Sequence, residues 1–187
     1  MNNKNLVLIL VLIAIAAISI VAILLTYNQK KNSQNKVIIE SSQVSNAYGF
    51  AYAGTVICGD GSIYDFELTD SKYENIDKLT LTQRSILILE SGTKREETVE
   101  EQDLKKIKKL LPKIKADYKE RNAEMQIFNF GTESVHIYNY KKNEKVILLQ
   151  TGAVLLDNNS KKTAEILEIL GEYLRIPEDI VFPDKIN

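Results

Sequence analysis

The apolar residues of the chain form one long continuous run near the N-terminus and shorter periodic segments after it. The run Leu6–Leu25, LVLILVLIAIAAISIVAILL, carries no charge and one hydroxyl group, that of Ser19. A helix of this length rises about 30 Å, the thickness of the hydrocarbon core of a bilayer. Because soluble helices are rarely apolar on every face for so long, the run predicts a single transmembrane anchor after a short tail, residues 1–5.

A cleaved signal peptide is the alternative interpretation of this run. The apolar region of such a peptide has about 7–15 residues and ends in small residues before a polar stretch. Here the small residues Ala14, Ala16, Ala17 and Ala22 lie inside the run, and residues 23–25 continue it. The pattern therefore favours an uncleaved signal-anchor.

Charge around the run gives an ambiguous orientation. Lys4 precedes it, whereas Lys30, Lys31 and Lys36 come after it, so the positive-inside rule alone leans slightly toward a cytoplasmic domain. A single N-terminal apolar segment, however, usually starts the translocation of the domain behind it, and long domains cross largely regardless of charge. We therefore expect the C-terminal domain of a single-pass protein of the cell membrane to be extracytoplasmic.

Alternation of large and small residues marks the first part of the domain. The polar residues 26–46 predict a juxtamembrane linker, in which KVIIE is compatible with a short strand. From Tyr48 to Leu68, large side chains alternate with small or polar ones on both sides of Gly59-Asp60-Gly61. A period of two around a glycine-containing turn predicts a β-hairpin with an aromatic inner face.

The segment LTLTQRSILILESG, residues 79–92, fits two structures. The β-branched and aliphatic residues 85–90 suit a strand, whereas Gly92 suits a helix C-cap. The composition favours the strand.

The second half of the chain predicts two amphipathic helices around a meander of strands. Apolar residues recur at helical spacing from 99 to 114, and Pro112 should end this first helix near its last turn. They recur again from 163 to 174, after a helix cap at Asn159 or Ser160. Strands are predicted at residues 124–130, 134–140 and 146–150, with a continuation toward 156. This order favours an α+β domain, residues 47–177, with both helices on one face of an antiparallel sheet and a C-terminal tail, residues 178–187.

Charge and cysteine content exclude several classes of protein. The chain has 24 Lys and Arg against 25 Asp and Glu, so it lacks the basic excess of a nucleic-acid-binding protein. Its one cysteine, Cys58, forms no internal disulfide and no multi-cysteine metal site, although an intermolecular disulfide stays open. Nine tyrosines and no tryptophan fit either a binding interface or a covered sheet face.

The acids of the hairpin do not match a calcium-binding loop. Counted from Asp60, an EF-hand needs an oxygen ligand at position 5, glycine at 6 and an acid at 12, which here are Tyr64, Asp65 and Ser71. Alternation instead places Asp65 and Glu67 together on the solvated face of the hairpin.

A catalytic Cys–His pair is the remaining candidate for chemistry. The single histidine, His136, lies in a predicted strand, and it would have to lie within hydrogen-bond reach of Cys58. Phosphate-binding, dinucleotide-binding and serine-hydrolase motifs are absent from the sequence. We therefore assign no catalytic, metal-binding or cofactor-binding residue.

The sequence favours a non-enzymatic binding module that the N-terminal helix anchors in the membrane at the cell envelope. Regulation, inhibition or immunity, and assembly are roles of this kind, with an unknown protein as partner. A pilin-like or secretion-system subunit is a second hypothesis, but Asn5 stands where a pilin has a processing glycine or alanine, and the run lacks a glutamate. An enzyme with an unrecognised site is a third.

Overall fold

The computed structural model describes residues 35–45, 49–121, 131–152 and 154–176. These residues form an eight-stranded sheet in which all neighbouring strands are antiparallel. The strands are β1 (Val37–Ser45), β2 (Ala51–Cys58), β3 (Ser62–Leu68), β4 (Thr93–Thr98), β5 (Tyr118–Arg121), β6 (Thr132–Asn139), β7 (Glu144–Thr151) and β8 (Leu155–Asn158). Their order across the sheet is β4-β3-β2-β1-β6-β7-β8-β5, which confirms the α+β class.

Helices cover both faces of this sheet. They are α1 (Leu81–Ser91), α2 (Glu101–Leu110) and α3 (Lys161–Leu170). α2 and α3 share one core with sheet residues such as Ile57 and Val135, as the sequence predicts. α1 packs in a second core on the opposite face, against Tyr52 and Phe66. The expectation of helices on one face alone is therefore incomplete.

The strand predicted within residues 79–92 is wrong, because this segment forms α1. The Thr80 side chain accepts a hydrogen bond from the backbone N–H of Gln83, and the Gln83 side chain reaches back to the backbone of Thr80, forming a capping box. The buried positions are Leu81, Arg84, Ser85 and Ile88. This is helical spacing, so the apolar run 86–89 lies only partly against the sheet.

The predicted hairpin is confirmed as β2 and β3. Its turn is closed by the Gly61 N–H, which donates to the Cys58 carbonyl at 2.9 Å, and Gly61 has φ +89°, a conformation that favours glycine. Its aromatic face packs under α1. The strand at KVIIE extends as β1 through Ser45, into residues expected to be linker, and lies between β2 and β6.

α2 ends before Pro112, as the sequence predicts, whereas α3 ends at Leu170, four residues before the predicted 174. α2 carries acids in its first turn and lysines in its last, and Pro112 follows in the 3-10 turn Leu111–Lys113. The Ser160 side chain caps α3 by accepting a hydrogen bond from the Lys162 N–H. Between these helices, β6 and β7 confirm two predicted strands, whereas β8 is a separate strand.

Several sequence predictions lie outside the described residues: the apolar run Leu6–Leu25, Tyr48, the strand at 124–130 and the tail 178–187. Within the described part of the chain, no helix is long and apolar enough to cross a membrane.

The sheet has two ends with different surroundings. At the entry end, where Lys36 leads into β1, the Gly59 N–H of the β2–β3 turn donates to the Lys36 carbonyl at 2.9 Å. The Tyr140 hydroxyl of the β6–β7 turn (residues 140–143) donates to the Val37 carbonyl at 2.7 Å. At the far end, Gln43 lies between Ala53 and Glu133. Gln43 lies six positions along β1 from Val37, a distance of about 20 Å.

Candidate functional site

The two residues that the sequence singles out for catalysis are buried and unpaired with each other. Cys58 is 1% exposed and His136 7%. Burial raises the pKa of the Cys58 thiol to about 12, so the nucleophilic thiolate is scarce at neutral pH. The Nδ1 atom of His136 has no hydrogen-bond partner within the described residues. Cys58 and His136 therefore lack the arrangement of an activated Cys–His pair.

The three acids of the hairpin make separate contacts and do not form a common site. The Asp60 carboxylate accepts a hydrogen bond from the Ser62 N–H at 2.9 Å and so stabilises the turn. Asp65 forms a two-pronged ion pair with Arg95, with both N–O distances 2.7 Å, and these hydrogen bonds lower the pKa of Asp65. Glu67 is exposed. Across the described residues, no cluster of three or more metal-ligating side chains occurs.

A buried polar network centred on Glu40 is the most concentrated chemistry of the domain. Glu40 is completely buried on β1, and its carboxylate binds the Arg84 guanidinium of α1 through two contacts, of 3.0 Å and 3.1 Å. Ser42 donates its hydroxyl to the same carboxylate at 2.6 Å. The hydroxyl groups of Tyr52 and Tyr138 donate to it as well. These tyrosines therefore serve a buried network on the covered face.

The network continues from Arg84 toward the surface. Arg84 Nη1 donates to Asp77 Oδ1 at 2.8 Å, and the same oxygen accepts from Lys145 Nζ at 2.9 Å. Burial is the largest single effect and would raise the pKa of Glu40. The Arg84 charge, the smaller effects of other nearby positive groups and the hydrogen bond from Arg84 together outweigh it and hold that pKa well below its ordinary value. Burial and then the Glu40 charge raise the pKa of Tyr52 far above its ordinary value. The network therefore holds an ionised pair among neutral tyrosines.

His136 lies at the edge of this network, and its Nδ1 atom has no hydrogen-bond partner among the described residues. Its Nδ1 is 3.9 Å from Glu40 Oε1, too far for a direct hydrogen bond. Burial lowers the pKa of His136 to about 4, so the ring is neutral at pH 7. The charges around it, Glu40 and Asp77 against Arg84 and Lys145, already balance.

The geometry of the Glu40 network suits a structural role, the joining of helices and strands, better than the binding of a ligand. Arg84 has a side-chain exposure of 3%, so neither partner of the ion pair meets solvent. The contacts connect α1 to β1, β2, β6 and β7. A weak sequence signal exists, since Glu40 follows three aliphatic residues in KVIIE. The burial of Arg84 can be predicted from the sequence only if residues 81–91 are recognised as a helix.

An open groove lies on the other face of the sheet, at its far end. It has a volume of about 200 Å³, and its lining includes Ser41, Gln43, Ala53, Thr55, Glu133 and Arg175; we call it the far-end groove. Beside the groove, β1 and β2 approach closely at Gly54, where an added Cβ would lie 2.2 Å from the Ser41 carbonyl oxygen. Hydroxyl, amide, carboxylate and guanidinium groups thus line the groove together with apolar surface.

The chain that follows α3 forms one border of the groove. The Ser41 hydroxyl donates to the Arg175 carbonyl at 2.9 Å, and Arg95 Nη1 donates to the Tyr173 carbonyl at 3.1 Å. Thr55 donates its hydroxyl to Asp65 at 2.7 Å. These contacts fix the backbone border beside the sheet, so the groove has a preformed shape.

Sequence reasoning found neither the groove nor the Glu40 network. The groove joins residues from β1, β2, β6 and the segment after α3, and no local spacing indicates that they meet. The comparisons with known proteins add no family: no protein-family model, no curated protein and no solved structure matches the chain.

Proposed function

We propose that the protein is a membrane-anchored, non-enzymatic binding module of the cell envelope that binds a protein partner at the far-end groove. The anchor is the apolar run Leu6–Leu25, and the α+β domain is extracytoplasmic. Regulation, inhibition or immunity, and assembly are the roles that suit such a module.

One observation carries this proposal: the far-end groove lies at the end of the sheet opposite to the chain entry. The chain enters β1 at Lys36, and Gln43 in the groove lies about 20 Å further along the strand. In a domain attached to a membrane through residues 26–35, the groove lies about 20 Å along the sheet from the point of attachment. A protein partner therefore has access to it.

The buried state of the catalytic candidates supports a binding role over an enzymatic one. Cys58 and His136 are both buried, and the Glu40–Arg84 pair is shielded from solvent. The groove instead offers hydrogen-bonding groups with one acid and one base, Glu133 and Arg175, at its border. Such groups fix the orientation of a polar partner.

Site-specific photo-crosslinking in intact cells tests the proposal. A photoreactive amino acid at Gln43 should give an adduct of higher mass with the partner, whereas the same probe at the exposed Ala116 should not. Ala53→Glu places a charged side chain in the groove and should abolish the adduct. Ala116→Glu adds the same charge elsewhere and should leave the adduct unchanged.

Three results would contradict separate parts of the proposal. Adducts that survive Ala53→Glu, or that form equally at both probe positions, would exclude the groove as the binding surface. Release of the protein from membranes by alkaline carbonate would exclude the anchor. Protection of the domain from protease added to intact cells would place it on the cytoplasmic side.

A further inference from the structure

Four lysines gather at the entry end, on the side of the sheet where β1, β6 and β7 meet. Lys36 lies with its Nζ 5.0 Å from the centre of the Tyr140 ring, and Lys141 and Lys142 are exposed in the β6–β7 turn. Lys78 precedes α1, whose Leu81 N–H donates to Asn143 Oδ1 of the same turn at 2.8 Å. Together with Leu79, which is 36% exposed, these four lysines form the lysine surface.

The charges of the lysine surface are not cancelled by ion pairs. Within the part of the chain that the structure describes, none of its four ammonium groups forms a salt bridge. The neighbouring charges Arg84 and Lys145 are balanced by Glu40 and Asp77. Two further acids lie at this end, Asp60 in the β2–β3 turn and Glu144 at the start of β7, so a positive excess remains.

The opposite side of the entry end carries the opposite charge. Glu96 and Glu97 on β4, and Glu100 just before α2, are exposed there, while Glu101 is paired with Lys105. β4 lies three strands from β1, a distance of about 15 Å. The entry end is therefore basic on the β6–β7 side and acidic on the β4 side, which gives the domain a preferred orientation at a negatively charged surface.

We propose that the lysine surface rests on the anionic lipid headgroups of the membrane that holds the anchor, with the start of α2 tilted away. This inference rests on the proposed anchoring. Residues 26–35 reach about 35 Å when fully extended, so an anchored chain keeps the entry end near the bilayer. Lys30 and Lys31 in that segment add to the attraction, and Leu79 provides an apolar contact among the lysines.

Hydrogen exchange of the full chain in vesicles tests this orientation. One preparation contains phosphatidylcholine alone, and the other contains equal parts of phosphatidylcholine and phosphatidylglycerol. Anionic lipid should slow exchange of the amides of residues 140–143 severalfold and leave residues 98–103 unchanged. High salt should remove the difference, because it screens exposed charges.

A matched pair of triple variants separates the lysine surface from net charge. K36Q/K141Q/K142Q should abolish the slowing, whereas K108Q/K109Q/K113Q, which removes three exposed charges in α2 and the turn after it, should retain it. Equal exchange of residues 140–143 in both vesicles, or loss of the slowing in both variants, would overturn the inference. Resistance of the same samples to carbonate extraction shows whether the anchor itself has failed.

Discussion

At the scale of single residues, the balance of buried charge in the Glu40 network decides how the domain responds to acid. The two oxygens of Glu40 accept from Arg84, Ser42, Tyr52 and Tyr138, so the buried carboxylate is well satisfied. An unpaired buried charge is costly, whereas a paired and hydrogen-bonded one persists. His136 faces this balanced set as a neutral ring, and its protonation would add an unmatched positive charge.

We predict that acidification between pH 6.5 and 4.5 destabilises the folded domain through His136. The folded-state pKa is about 4, below the ordinary value of 6.5, so in this range the unfolded chain binds a proton that the folded chain does not. Stability therefore falls as pH falls, by up to about 1.4 kcal/mol per pH unit and by about 2 kcal/mol across this range. Urea unfolding of the full chain in detergent, followed by near-UV circular dichroism of tyrosine, measures this.

His136→Gln should flatten the pH profile in this window. The Glu40 and Asp65 carboxyls have lowered pKa values and so change protonation below it. The stability of wild type and variant should then fall together below pH 4. An unchanged slope in the variant between pH 6.5 and 4.5 would show that another group senses the acid.

At the scale of elements, α1 shows how a local end signal decides between helix and strand. The run ILIL suits a strand by composition, but Thr80 and Gln83 satisfy backbone groups at the start of a helix. Burial of Arg84 then adds a tertiary contact that no strand at this position would make. Propensity is a weak signal beside capping and packing.

We predict that Thr80→Ala destabilises the domain by about 1 kcal/mol, because it removes the capping side chain of α1. Thr82→Ala is the matched control, since Thr82 is exposed within the same helix and alanine is the better helix former. Denaturant midpoints of both variants give the comparison. A loss of stability equal in the two variants would mean that the capping box contributes nothing.

Local sequence patterns predicted most of the helices and strands. The Glu40 network and the far-end groove could not be predicted in this way, because they depend on contacts between segments that are distant in the sequence. Alternation identified β2 and β3, and helical spacing identified α2 and α3, because each signal lies within one element. The Glu40–Arg84 pair joins residues 44 positions apart, and the groove joins Ser41 to Arg175, 134 positions apart. These encounters follow from the sheet order, which a single sequence does not specify.

At the scale of the whole molecule, charged edge strands limit how two copies can associate. β4, with the sequence TKREET, and β5, with the sequence YKER, form the two edges of the described sheet. An edge strand offers unpaired backbone groups to another chain, and charged side chains oppose such pairing. The edges of the described sheet therefore resist the addition of further strands.

We predict that Lys94→Thr combined with Glu96→Thr promotes self-association through β4. Both residues are exposed on one side of the strand, and threonine favours strands without adding charge. Sedimentation velocity of the detergent-solubilised chain should show a concentration-dependent shift to dimers and larger species. Lys108→Gln combined with Glu168→Gln removes the same two charges from exposed helical positions and should leave the chain unchanged. If the two double variants sediment alike, the charges of β4 do not protect the edge, and the twist or neighbouring contacts of the strand must do so.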